Sequence, residues 1–209
     1  MDHPFDETTR QQIMQRCTAF MRADPPAAVS PLKPAAVALV LAAADNPHEA
    51  AFLLTLRAAS LRAHSSQWAL PGGRCDAGEA PVMAALRELR EELGLSLDEA
   101  DVLGTLDDYP TRSGYLITPV VMWAADSARL VPSPDEVASV HRIALADIAG
   151  EGAFDFTSIP ESDRRVIRFR YRGQLIHAPT AAMIYQFREV LAGHATRVAD
   201  LEQPVFAWK

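Results

Sequence analysis

The sequence predicts an α/β fold, a mixed sheet packed between helices. Short apolar runs, partly β-branched and bounded by turn residues, recur along the chain; one long amphipathic helical segment separates two groups of them; a second helical segment lies near the end. Strands on both sides of a long helix leave two sheet faces to be covered. At 209 residues and 49% hydrophobic content the chain has ample material for a core. The expectation is a single domain over 1–209, with an N-terminal helix and connector over 1–34, a core over 35–193 and a tail over 194–209.

The elements follow in order. Asp6 to Arg22 carries Ile13, Cys17, Phe20 and Met21 at helical spacing, and Asp24-Pro25-Pro26 ends it. After a proline-bearing connector, Ala35 to Leu41 reads as a buried strand. Asp45-Asn46-Pro47 supplies a turn, and Ala51 to Arg57 returns as the second strand of a hairpin. Gly72 and Gly73 after Pro71 predict a tight turn, and Gly78 a junction from loop to helix. Pro81 suits a first helical turn and Gly94 a C-terminal stop. Strand-like runs lie within Val102 to Arg112, Tyr115 to Ala124 and Glu136 to Leu145, with a short helix over Ala146 to Gly150. Arg164 to Arg172 predicts a strand with Ile167, Phe169 and Tyr171 on one face and Arg168, Arg170 and Arg172 on the other, a solvated face or a phosphate-facing edge. Thr180 to Leu191 has Ile184, Phe187 and Leu191 at helical spacing, with Thr180 a candidate cap.

Charge and composition exclude several classes. A net charge of −7 argues against a general nucleic-acid or anionic-membrane surface while leaving room for a local basic pocket. The acidic start M-D-H-P-F-D-E is no export signal, and nothing is apolar enough for a span. Two cysteines, Cys17 and Cys75, offer neither a disulfide framework nor metal-ligand spacing. A cytoplasmic location is expected, and Cys75 is read as a passive small residue.

The chemistry is concentrated in Gly73 to Leu95, G-R-C-D-A-G-E-A-P-V-M-A-A-L-R-E-L-R-E-E-L-G-L. On a helix Glu88, Glu91 and Glu92 fall within an arc of about 100°, while Val82, Leu86, Leu89 and Leu93 lie mainly on the other side. Carboxylates so spaced repel by roughly 0.2–0.5 kcal/mol per pair, and a divalent cation reverses that sign. Clustered oxygen ligands with room for water and a substrate phosphate are how Mg²⁺ is usually held. Arg87, on the flank of the arc, could hold one carboxylate by a bidentate contact or form an ordinary surface pair.

A Glu- and Arg-rich helix face by itself is commonly just solvated; the wider spacing is what makes this one specific. Gly73, Glu79, Arg87-Glu88, Glu91-Glu92 and Gly94, with aliphatics at Leu89 and Leu95, stand at the intervals of the complete Nudix box. The chain thus resembles a Nudix hydrolase. That resemblance implies an α/β/α sandwich with a mixed sheet, and attack of water on a diphosphate joined to another group, with Mg²⁺ or Mn²⁺ as cofactor. It implies Glu88, Glu91 and Glu92 as metal ligands, Glu91 directly or through water, Arg87 as the residue that orients them and Glu79 as support. The base that activates water is implied to be a box glutamate or a later carboxylate, for which Glu136 is the candidate. The expected partner is a small-molecule nucleoside diphosphate derivative, with no nucleic acid and no membrane, and a homodimer is compatible with the family.

Upstream, Leu53 to Gly73 reads L-L-T-L-R-A-A-S-L-R-A-H-S-S-Q-W-A-L-P-G-G. It is similar to the element marking the coenzyme A diphosphatase branch at Leu53, Leu54, Thr55, Arg57, Arg62, Pro71, Gly72 and Gly73. It departs at Ser66, where that branch has Gly, and at Leu70, where it has Phe; His177-Ala178 falls where Trp-Gly is usual. The resemblance implies coenzyme A or an acyl form as substrate, with Arg57, Arg62 and Gly73 as substrate-binding residues. Another nucleoside diphosphate derivative such as ADP-ribose is the alternative, and a non-catalytic Nudix module a third reading, disfavoured by the intact box.

Overall fold

The run Lys33–Ala43 is apolar on both of its faces because both faces are covered. In the computed structural model, which describes residues 3–25, 31–61, 65–127 and 130–204, it forms the central strand β1. Val37, Leu39 and Leu41 point into one apolar cluster, while Ala36, Ala38, Val40 and Ala42 point into another. The period-two alternation of a strand divides one hydrophobic run between two cores.

β1 pairs antiparallel with β2 (Ala50–Arg57), in register Leu41 to Phe52, around the predicted turn. On its other side it runs parallel to β7 (Tyr115–Trp123), which makes the sheet mixed. Around this centre lie β3 (Trp68–Ala69) and β8 (Val137–Ala144), both paired with β2; β4 (Gly72–Arg74), paired with β1; and β5 (Val102–Thr105) and β6 (Tyr109–Pro110), paired with β7.

One face is covered by α2 (Pro81–Leu93), whose Ala84, Ala85, Leu86, Leu89 and Leu93 pack on Ala36, Ala38 and Val40. The other is covered by α1 (Glu7–Ala19), α3 (Leu145–Ala149) and α4 (Thr180–Leu191), and by a small antiparallel sheet of β9 (Phe154–Ile159), β10 (Ser162–Tyr171) and β11 (Gln174–His177). This is an α/β/α arrangement with a mixed sheet. Among the described residues no helix is long and apolar enough to cross a membrane.

Several local expectations are corrected. α1 starts as read, with Asp6 Oδ1 accepting from Thr9 N at 2.8 Å, but ends at Ala19, and Met21 is 81% exposed. Gly72 and Gly73 are strand residues of β4 and not a turn. Thr180 does not cap α4; the cap position is Pro179, and the Thr180 hydroxyl donates to the Trp68 carbonyl at 3.4 Å. β10 buries Ile167, Phe169 and Tyr171 as predicted, and on its other face the partly exposed Arg168 and Arg170 both pair with Asp155 of β9. The flanking strands β9 and β11 were missed.

Candidate active site

Three local features bring the box residues together. Pro81 opens α2 where its missing N–H removes no intrahelical bond, and Gly94 closes it in the left-handed conformation at φ 64°. Beyond the helix the chain turns back, Val131 N donating to Leu93 O and Ser133 N to Glu92 O, both at 2.8 Å. These bonds satisfy carbonyls at the helix end and carry Glu136 towards the acidic face. On the other side Gly72 and Gly73 are paired with Val37 and Ala36 of β1.

Gly73 is required by proximity. A Cβ there would stand 2.3 Å from Glu88 Oε1 and 2.6 Å from its Cδ, so the box glycine makes room for the box glutamate. Gly72 meets backbone instead: its φ is 152°, and a Cβ would lie 2.3 Å from Ala36 O.

Arg87 organises the carboxylates. Its Nε and Nη2 donate to the two oxygens of Glu79, each at 2.9 Å, so the bidentate contact falls on Glu79 and not on a glutamate of the arc. Its Nη1 donates to Glu88 Oε1 at 2.9 Å and Glu91 Oε2 at 3.1 Å. Glu79 also accepts from Asp76 N at 2.8 Å, and these bonds, Arg87's foremost, hold its carboxyl below the usual carboxylate range.

Glu88 and Glu92 are perturbed the other way. Burial chiefly raises Glu88, with smaller contributions from Glu91 and Glu136 and an opposing one from Arg87. Glu92, whose side chain is 4% exposed, is pushed up to about 7 by burial, with Arg57 opposing and Glu88 and Glu136 adding to the rise. Its Oε1 lies 3.6 Å from Arg57 Nη1, and its Oε2 accepts from Gly72 N at 3.3 Å. Glu88 and Glu92, set against Gly73 and Gly72, form an acidic centre on which Glu136 bears electrostatically, while Glu91 stands at its rim, half exposed.

Beside Gly73 opens a cleft of about 590 Å³ between the main sheet and the β11–α4 segment. Arg57 and Arg74 line it, with Trp68, Leu70, Ile117 and Met183 supplying apolar surface, and no carboxylate stands among its described lining residues. Arg57 Nε is buried without a hydrogen-bond partner among the described residues. The Arg74 guanidinium lies over the Tyr115 ring at 5.1 Å from the centroid. Arg62 and His64 lie outside the described residues. Ser66 holds φ 56°, the left-handed conformation that the glycine of the similar element would take without strain, and Leu70 is buried in the core. Cys75 packs beside the α2 core as a small apolar residue.

The family profile described as the NUDIX domain matches residues 32–168, about two thirds of the chain. The chain belongs to the Nudix family. Its members are hydrolases acting on diphosphate bonds, generally with a divalent metal. This Nudix chain is 33% identical over 140 residues to the uncharacterized Nudix hydrolase NudL of Photorhabdus laumondii, an alignment spanning 66% of this chain and 75% of that one. It is 35% identical over 137 residues to the protein of the same name from Pectobacterium atrosepticum, spanning 64% and 71%. Among solved structures, the MutT/nudix family protein from Enterococcus faecalis superposes with a TM-score of 0.51 at 17% identity, covering 90% of this chain and 79% of that one, a likeness of fold.

The donor set suits the hard divalent cation of a Nudix hydrolase. Glu88 and Glu92 present carboxylate oxygens, the hard donors such a cation prefers, and burial raises both carboxyls against the pull of Arg87 and Arg57. Among the described residues no three candidate ligands already close on one point. Mg²⁺ is commonly held by one or two carboxylates, with water and substrate phosphates completing its shell.

Most of the cleft lining was missed from sequence, Arg74 and Gln203 included. Arg74 directly follows the glycine pair and could have been found there; Gln203, in the unpatterned tail L-E-Q-P, gave no signal.

Proposed function

We propose that this Nudix hydrolase cleaves the diphosphate of coenzyme A or an acyl form, giving 3′,5′-ADP and 4′-phosphopantetheine. The observation that supports it best is the cleft beside Gly73: two arginines, apolar walls and no lining carboxylate in a chain of net charge −7. Such a cavity favours an anionic ligand with a sizeable neutral body. Arg57, with its unpartnered buried Nε, and Arg74 are the donors for substrate phosphates. The sequence run Leu53 to Gly73, leading straight into the box, supports coenzyme A as the particular diphosphate.

In this reading Glu88 and Glu92 hold the cation, with Glu91 completing its surroundings from the rim. A bound divalent cation supplies neutralisation of charge developing on the phosphorus oxygens. Arg87 keeps Glu88, Glu91 and Glu79 in position, and Gly73 gives Glu88 its place against the loop. Glu136 takes the proton of the attacking water as general base.

The test compares kcat/KM for coenzyme A, dephospho-coenzyme A and ADP-ribose. A charge-assisted contact to the 3′-phosphate is worth about 1.5–3 kcal/mol, so coenzyme A should lead dephospho-coenzyme A by some 10- to 150-fold. A best rate on ADP-ribose, or no cleavage of coenzyme A at high enzyme concentration, leaves only the general diphosphatase.

A further inference from the structure

The cleft has two walls of different origin. One comes from β1, β3, the box loop and the segment 111–117, within the region matched by the family profile. The other is formed by β11, the start of α4 and Gln203, all beyond residue 168. Among its described residues, the tail that carries Gln203 has no strand or helix of its own. It touches the sheet through a parallel bridge between Val166 and Glu202, with Glu202 N donating to Arg165 O at 2.8 Å, and Leu201 O accepts from the Tyr109 hydroxyl at 2.7 Å.

A buried carboxylate fastens this segment. The Glu202 side chain is 2% exposed and accepts from Arg112 Nε at 3.0 Å, from Arg112 Nη2, from Ser162 Oγ at 2.8 Å and from Gln203 N at 3.0 Å. The next residue grips the same partner's main chain, Arg112 N donating to Gln203 Oε1 at 2.6 Å. Two consecutive tail residues thus hold one residue of the 111–115 loop at both its side chain and its backbone. That loop gives Thr111, Ser113 and Tyr115 to the cleft, and the tail gives Gln203. Of the three segments joined at Glu202, two form cleft wall.

We infer that Glu202 is a positioning residue for the substrate cleft: by clasping Arg112 and Gln203 it fixes the wall that receives the part of the substrate beyond the diphosphate. The inference rests on the diphosphate reading above and deepens it. The lining near the clasp is neutral, with the amide of Gln203 and the hydroxyls of Thr111 and Ser113 set beside apolar Ile117 and Met183. It suits a group that alternates amide or hydroxyl functions with apolar surface. Glu202 touches neither the acidic centre nor the scissile bond, so its removal should weaken binding and spare the chemical step.

The experiment compares wild type, Glu202→Gln and, as a control, Asp155→Asn, which breaks ion pairs between β9 and β10 without touching the Glu202 contacts. KM and kcat are measured with coenzyme A and with ADP-ribose, and trypsin cleavage after Arg112 is followed without substrate. In Glu202→Gln, KM for the preferred diphosphate should rise about tenfold with kcat within about twofold, and tryptic cleavage after Arg112 should accelerate about tenfold. Asp155→Asn should change neither. An unchanged KM in folded Glu202→Gln, or a fall in kcat at constant KM, overturns the inference. If the wild type cleaves neither diphosphate, the coenzyme A reading fails separately, and unchanged trypsin cleavage would still overturn the clasp. Should Glu202→Gln not fold, Gln203→Ala retains the carboxylate and must raise KM in the same way; an unchanged KM there overturns the inference as well.

Discussion

Replacing Gly73 with alanine should separate catalysis from folding. The added Cβ would stand 2.3 Å from Glu88 Oε1, against 3.4–4 Å for ordinary contact, so the carboxylate must retreat by about 1 Å. Its retreat also disturbs the 2.9 Å bond from Arg87 Nη1. A displacement of that size in a positioned catalytic group costs on the order of 10²-fold, and kcat/KM should fall accordingly. The fold should survive, because the atoms in the way belong to a side-chain end. Gly72→Ala is the contrast: its Cβ would meet Ala36 O at 2.3 Å and Val37 Cα at 2.6 Å, at φ 152°, so strand pairing itself must yield, by more than about 2 kcal/mol. Product formation from the diphosphate substrate, resolved chromatographically, is measured beside thermal unfolding. Wild-type kcat/KM in Gly73→Ala at an unchanged Tm would refute the reasoning, as would a fully stable Gly72→Ala.

Glu92→Gln removes one of three mutually repelling carboxylates, so Tm should hold or rise while kcat drops by roughly 10²–10³; an active variant would remove Glu92 from the cation site. Excess chelator should abolish turnover, with Mg²⁺ or Mn²⁺ restoring it, and full activity in chelator contradicts the assignment of the acidic centre. The Arg112 contact, with help from Ser162 and Gln203 N, lowers the Glu202 carboxyl from 4.5 to about 2. A depressed folded-state value gives stability that is complete above the unfolded value and lost as pH falls towards the folded one. Allowing for the partly exposed arginine, about 2 kcal/mol should vanish between about pH 5 and about pH 2, so the denaturation midpoints of wild type and Glu202→Gln should converge there.

The parts of the protein legible in sequence are those whose residues serve a local rule. β1 announced itself because burial on both faces leaves no polar position, and α2 because its leucines and glutamates segregate at helical period while Pro81 and Gly94 mark its ends. A bidentate hold by Arg87 was one of two readings open in sequence, and its partner, Glu79, became evident only in the structure. What stayed hidden depends on distant partners. β9 and β11 are short, and their hydrophobic residues read as strands only once β10 lies between them. Thr180 resembles a cap, yet its hydroxyl is drawn to a carbonyl in β3. Nothing in L-E-Q-P marks Glu202 as buried; its four donors come from residues 112, 162 and 203.

The pairing of β4 with β1 has a dynamic consequence. Gly72 and Gly73 are hydrogen-bonded into a strand that also pairs with β2 and β7 and whose residues from Ala38 to Ala42 are wholly buried. Backbone amides there should exchange with solvent only when the whole molecule unfolds, whereas amides of 201–203, held by one bridge and a side-chain clasp, should exchange through local opening at much lower free energy. The side of the cleft next to the box is then a fixed anvil, and the tail side, which gives Gln203 to the lining, is the part that yields first.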